Sequence, residues 1–258
     1  MKTEIKGFAY RDSDHSYTFD GKRMTGCTTI LGVLNKPALV PWSAKMAVEY
    51  VKEHSASREG IYSVLEGVLE EAKTAYAKKR DEGAQKGTDT HTLVEEYIKD
   101  CIATNGGKPI LTIKAAHSSI EPFVTWADKE NITFIASEAQ LYSKSLFIAG
   151  TADFIFEKEG KRYVGDIKTF KKIWDRTPFY QCAGYALMWE EMHLDHEEAA
   201  KGEIDGYVIF NLPKEREFKE EEDVAWSFDV EGDTRAFNAC VEIYRQNANF
   251  ATKTKWKK

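Results

Sequence analysis

Two aspartates and a lysine stand close together in the stretch Gly150-Thr-Ala-Asp153-Phe-Ile-Phe-Glu-Lys-Glu-Gly160-Lys-Arg-Tyr-Val-Gly-Asp166-Ile-Lys168. Paired carboxylates repel unless a proton or a cation lies between them, and hard divalent ions take oxygen ligands of this kind, so their joint chemistry would be metal-assisted. For the three side chains to meet, the segment must fold on itself. The runs Phe154–Glu157 and Arg162–Ile167 are rich in aromatic and β-branched residues and are broken at Glu159-Gly160, which predicts two antiparallel strands joined by a tight turn. If Lys158 pairs with Lys161, then Glu157 faces Arg162 and Asp153 faces Asp166. Directly opposed residues share a face, with Cβ atoms roughly 5 Å apart, and Lys168 shares it too.

A solvated face with an ordinary charge pattern is the alternative, since most acids lie on surfaces. The flanking residues weigh against it. Phe147, Ala149, Thr151 and Ile155 alternate onto the side of Asp153, and Ile148, Gly150, Ala152, Phe154 and Phe156 onto the other, so both sides are largely apolar. Such a strand is central in a covered sheet, where acids are desolvated and need a partner.

An acid followed by Asp-x-Lys on the next strand resembles the PD-(D/E)xK nuclease superfamily, here without the proline and with Asp153 as the first acid. Three flanking features resemble its RecB-like, Cas4-like exonuclease branch, which includes phage exonucleases and the mitochondrial genome maintenance exonuclease. These are Gly150-Thr151 before Asp153, Gln181-Cys-Ala-Gly-Tyr185 after the lysine, and Gly87-Thr-Asp-Thr-His91-Thr-Leu-Val-Glu95 upstream. The resemblance is best over residues 85–192. It implies a restriction-endonuclease-like core: an α/β fold with a mixed central β-sheet flanked by helices. It also implies Mg²⁺ or Mn²⁺ as cofactor, the Ile167 carbonyl as a further metal ligand, and DNA as substrate.

His91 and Glu95 are four apart on a helix beside the apolar stripe Val94, Tyr97 and Ile98. A lone histidine beside such a stripe is more often an ordinary core or surface residue. With the aspartates present, a neutral imidazole becomes a candidate further ligand, and it would favour Mn²⁺ over an all-oxygen cage. Gln181 and Tyr185 are also four apart, on a helix whose expected start is Thr177 as N-cap and Pro178 as first helical residue. Packing in a buried helix and a role in the site weigh about equally on physical grounds; the resemblance favours ordering of the active centre and nucleic-acid backbone. The branch often carries an acid on the preceding strand, here Glu138. A four-residue loop would set Glu138 opposite Thr151 on the active side, and a three-residue loop opposite Gly150 on the other. Thr151, Thr169, Lys171 and Lys172 complete the supporting or DNA-contacting candidates.

The remaining sequence bounds these expectations. At 258 residues and 42% hydrophobic content, one domain with one substantial core suffices. Its expected parts are an N-terminal β-hairpin region (1–40), a helical arm with the His91 helix (41–130), the catalytic sheet and helices (131–250) and a basic tail (251–258). Helices are predicted over 43–54, 60–80 and 233–250, and strands over 134–142, 206–211 and 224–228. The dipeptide Asp20-Gly21 predicts a hairpin turn. No apolar run approaches a membrane span, and the first residues lack the apolar core of a secretory signal, which predicts a cytoplasmic protein of a bacterial or phage-infected cell. The formal charge of −6 opposes phosphate binding, but basic clusters remain at Lys78–Arg80, Lys168–Lys172 and Lys253–Lys258. Cys27, Cys101, Cys182 and Cys240 are widely spaced, with no Cys-x-x-Cys, so no disulfide framework is expected; the compact late cysteine group of the cluster-bearing members of the resembled branch is also missing, which implies no iron–sulfur cluster. The pair His193 and His196 reads as solvated surface, since a structural zinc site needs four ligands.

The expected activity is metal-dependent hydrolysis of DNA phosphodiesters by an exonuclease acting on single strands or duplex ends, in replication, recombination or repair. No obligate protein partner and no membrane are expected. Trp42, Tyr50, Tyr62 and Tyr76 could stack bases, although aromatics at helical spacing are more often core. A structure-specific flap or end endonuclease is the alternative enzyme, and a catalytically silent nucleic-acid-binding module the alternative from another class.

Overall fold

The Asp20-Gly21 dipeptide reverses the chain with both residues at positive φ, 47° and 73°, the backbone that matches the twist of a hairpin. Around it, β1 (Phe8–Arg11), β2 (Ser16–Phe19) and β3 (Lys22–Arg23) form an antiparallel three-stranded sheet. The computed structural model describes residues 6–34, 39–54, 56–58, 61–63, 66–111, 118–194 and 202–253. After β3 come β4 (Thr25–Gly26) and the short helix α1 (Cys27–Leu31).

Residues 34–89 are a compact unit distinct from the rest. It contains α2 (Leu39–Glu53), the antiparallel pair β5 (Ala56–Arg58) and β6 (Ile61–Ser63), α3 (Glu66–Ala72) and the first turns of α4 (Ala75–Asn105). The helix expected over 60–80 is therefore interrupted twice. Its first residues are a strand. At Thr74 the hydroxyl donates to the Glu71 carbonyl, while the Thr74 carbonyl accepts from Ala77, so one threonine ends α3 and starts α4. Trp42 and Tyr76 meet edge-on at 6.4 Å, and Tyr50 stacks on His54 and donates to Glu71, so these aromatics are engaged within the unit. The Tyr62 side chain lies outside the described residues.

The other unit comprises residues 1–33 and 90–258. After the second half of α4 follow α5 (Glu121–Lys129), β7 (Thr133–Ser143), β8 (Ile148–Lys158), β9 (Lys161–Lys168), α6 (Thr177–Leu194), β10 (Gly206–Asn211), α7 (Glu220–Asp223), β11 (Val224–Ser227) and α8 (Val230–Lys253). The fold is mixed α/β. A mixed sheet of order β11-β10-β9-β8-β4, with β7 also on β8, packs against helices. The strand β8 is central, antiparallel to β7 and β9 and parallel to β4; β9 and β10 are parallel, joined through α6. The expected register holds: Lys158 faces Lys161 and Glu157 faces Arg162, with the ladder reaching Phe154 opposite Gly165. The final helix starts at Val230, earlier than expected, because Asp229 accepts from the Gly232 amide. The expected first residue, Asp233, is instead buried against Arg176 and Ser227. Among the described residues no helix is long and apolar enough to cross a membrane.

An aromatic core holds the centre of the sheet. Phe123 and Trp126 of α5 pack on Phe134, Phe154, Phe156 and Phe210, joined by Val94, Tyr97 and Ile98 of α4. These three are the stripe expected beside His91. Gly165 leaves room for the Phe154 ring, since a Cβ there would lie 2.0 Å from a ring atom. Gly165→Ala should therefore destabilise the protein by about 1–3 kcal/mol through forced repacking. A urea midpoint equal to that of the parent would refute this crowding.

Candidate active site

The hairpin ladder ends just where the two acids begin. Beyond Phe154 and Gly165, the next residues on the paired strands are Asp153 and Asp166. There the Ile167 amide donates to Asp153 Oδ2 at 2.7 Å, so a strand donor serves a carboxylate. Lys168 Nζ lies 2.5 Å from Asp166 Oδ2 and 3.4 Å from Gln181 Oε1. Gln181 in turn donates to the Tyr185 hydroxyl at 2.7 Å. The Tyr185 ring rests on Gly150, where a Cβ would approach it to 2.7 Å. His91 Nδ1 is 3.6 Å from Asp153 Oδ2. Asp153, Asp166, Lys168, His91, Gln181 and Tyr185 are thus linked in one constellation.

Its electrostatics follow from desolvation. Burial pushes both carboxyls above the usual carboxylate range, and Lys168 only partly offsets this. Asp166 is 1% exposed, and neither of its oxygens has an aligned hydrogen bond, even though Lys168 is within ion-pair distance of one. Lys168 is itself pulled down by burial, but Asp166 and Asp153 outweigh that and hold it as an ammonium. Burial lowers His91, so the imidazole is neutral near neutral pH, the form that ligates metals. The donor set therefore fits a hard divalent ion in chemistry: two water-poor carboxylates, unsatisfied oxygen on one of them, and a neutral imidazole beside the other. Among the described residues, no three His, Cys, Asp or Glu side chains are drawn together as a ready-made metal cluster. Lys168 takes the cationic position at Asp166.

Glu138 lies in neither of the two expected registers. The β7–β8 turn has four residues, but Ser143 pairs with Ile148, and Ser137 and Ala139 face Phe154 and Ala152, which sets Glu138 level with Asp153 rather than Thr151. The reason is Glu191 on α6, whose carboxylate accepts from the Ser143 hydroxyl and the Lys144 and Ser145 amides at 2.6–2.9 Å. This clamp keeps Ser143 in the strand. Glu138 has φ 48°, out of regular pairing. Its carboxyl is pushed up to about 8, first by burial, then by Asp153 and Glu95. Glu95 itself pairs with Lys99.

The start of α6 also differs from expectation. Arg176 contributes the capping carbonyl to Phe179 and Tyr180, and Asp175 accepts from the Thr177 amide, so Thr177 is already inside the helix. Thr169, Lys171 and Lys172 lie between β9 and α6, with both lysines exposed. Side chains of the upstream Gly87 segment, the tail from Thr254 and His196 lie outside the described residues.

Two groups of contacts were not legible in the sequence. Tyr17 shares a hydrogen bond of 2.8 Å with Thr151, across a sequence separation that no local pattern reveals. Asn211 ends β10 opposite Lys168 and binds the Phe170 backbone and Asp223, which Arg216 also holds. A polar residue closing the apolar run Gly206-Tyr-Val-Ile-Phe-Asn211 was its only trace. A cavity of about 500 Å³, lined by Tyr17, Gly150, Thr151 and Tyr185 among others, lies beside the constellation, without Asp153, Asp166 or Lys168 in its walls. Comparison with protein families and with curated proteins finds no match for the chain.

The raised Glu138 carboxyl predicts a pH dependence. Between its ordinary value of 4.5 and about 8 the folded chain holds a proton that the unfolded chain has lost, so this residue's contribution to stability falls as pH rises through that window. In EDTA, the urea midpoint of the parent should therefore drop relative to Glu138→Gln between pH 5 and pH 9. A pH-independent difference would show that Glu138 is not desolvated beside Asp153.

Proposed function

We propose that this chain is a metal-dependent nuclease that hydrolyses DNA phosphodiesters from a strand end. The observation that supports this best is the pairing of the buried Asp166 and the partly buried Asp153 with an ammonium on Asp166 and an unsatisfied Asp166 oxygen. Structural ion pairs have no need of a second desolvated carboxylate beside the first. The resemblance of Asp153, Asp166, Lys168 and the Gln181/Tyr185 pair to the RecB-like nuclease branch agrees with it.

In this reading Asp153 and Asp166 would hold Mg²⁺ or Mn²⁺, with His91 and, as the resemblance implies, the Ile167 carbonyl as further ligands, and such an ion would acidify water and neutralise phosphate charge. Lys168 orients the attacking water and balances the charge that grows on the phosphate oxygens. Gln181 positions the Lys168 ammonium through its Oε1, and Tyr185 fixes the amide by accepting from Nε2. Asp153 is held in turn by the Ile167 amide. Glu138 lies level with Asp153, and in the metal-free chain burial, then Asp153 and Glu95, hold its carboxyl above the usual carboxylate range; a cation on Asp153 would draw it back toward the carboxylate form.

The direct test is an end-labelled oligonucleotide followed over time with Mg²⁺, Mn²⁺ or EDTA. Cutting should require metal, degrade linear single strands and spare single-stranded circles; cut circles would favour the flap or end endonuclease, and a metal-independent gel shift without cutting the silent binding module. Lys168→Ala should lower turnover by about 10²–10³-fold or more while leaving DNA binding nearly intact, as for removal of one preorganised charge. Cutting at the parental rate would remove Lys168 from the mechanism. Asp166→Asn should lose both cutting and calorimetric Mn²⁺ binding, and unchanged Mn²⁺ binding would count against its ligand role.

A further inference from the structure

The segment that leaves the catalytic lysine is unusual in what it leaves uncovered. Trp174 is 69% exposed and Phe170 46% exposed, although the protein has ample apolar core in which to place such rings. The backbone at Phe170 and Lys171 is nonetheless pinned. Asn211 accepts from the Phe170 amide at 2.8 Å and donates to its carbonyl at 3.1 Å, and Arg216 donates to the Lys171 carbonyl at 3.0 Å. Both holders are tied to the buried Asp223, at 2.7 Å from Asn211 and 2.6 Å from Arg216. An anchored base thus presents the Phe170 ring to solvent, and Trp174 is exposed four residues further along the same segment.

Charge complements the rings. Lys168, Lys171, Lys172 and Arg176 face a single acid, Asp175, within residues 168–176 of a chain whose formal charge is −6. Asp175 accepts from the Thr177 amide and the half-exposed Arg176 is held by Asp233, while Lys171 and Lys172 are exposed beside the exposed rings. Lys172 Nζ lies 4.1 Å from the Trp174 ring centre, on one face of the indole. Phe170 is two residues from Lys168, a chain distance of at most about 7 Å.

We propose that Phe170 and Trp174 are a base-stacking platform for single-stranded DNA beside the reacting phosphate, with Lys171 and Lys172 tracking its backbone. This rests on the nuclease reading for its substrate and on the loop's own geometry for its strand preference. A duplex keeps its base faces inside the helix, so exposed rings next to backbone cations suit a strand with unpaired bases. The proposal makes the substrate of the site a single strand rather than an intact duplex end.

The test uses the full chain in EDTA, so that nothing is cut, with a short fluorescein-labelled oligothymidylate and a blunt duplex of equal length. Phe170→Ala and Trp174→Ala should each weaken single-strand binding by roughly 5- to 100-fold, the effect of losing one base–aromatic stack, and leave duplex binding unchanged. Trp174→Phe should restore most of the loss. Lys171→Gln and Lys172→Gln should lower the slope of log affinity against log salt by about 0.7 for each phosphate they no longer neutralise, whereas the aromatic variants leave that slope alone. Unchanged single-strand affinity in the alanine variants overturns the platform, and if the parent still cuts DNA with metal, the nuclease reading survives it. Equal losses on single strand and duplex overturn the strand preference. Selective loss in a protein that never cuts retains the platform and overturns the nuclease reading.

Discussion

Two carboxylates forced into neighbouring, water-poor positions are the constraint around which this molecule is arranged. Asp166 is almost wholly buried, and burial raises both it and Asp153 above the normal carboxylate range. Left alone, such a pair would take up a proton. The surroundings resist this: Lys168 sits against Asp166, and the Ile167 amide is turned to Asp153. The lysine needs its own support, because a buried ammonium is as costly as a buried carboxylate. Gln181, held by Tyr185, supplies it, and Gly150 makes the space that Tyr185 occupies.

The scaffold keeps these groups in place by means remote from the chemistry. Aromatic residues of α5 and the sheet lock the hairpin from the side of Phe154 and Phe156. Glu191 clamps the β7–β8 turn, and through that turn it fixes which residue of β7 lies beside Asp153. Asp223, Arg216 and Asn211 do the same for the chain leaving Lys168. Each clamp is a carboxylate satisfied by several donors at once, an arrangement that persists only when every partner is present.

The hairpin was legible because its information is local. A tight turn at Glu159-Gly160 and period-two alternation determine the register, and Phe154 opposite Gly165 follows from them without any distant contact. The apolar stripe beside His91 was readable for the same reason. Glu138 was not, because its register depends on Glu191, a residue on another element that gives no signal near the turn. The interruption at Thr74 was hidden too, since a threonine in a helical pattern carries no mark of whether its hydroxyl will seize the preceding turn. The contact of Tyr17 with Thr151 joins distant parts of the chain and could be found only from the fold.

The central claim is that Asp153 and Asp166 converge on one divalent ion. Anomalous diffraction from a crystal soaked in manganese tests it most directly. A peak within ligand distance of both carboxylates, about 2–2.5 Å, is the expected result. Carboxylates that point apart, with no peak between them, would contradict the account.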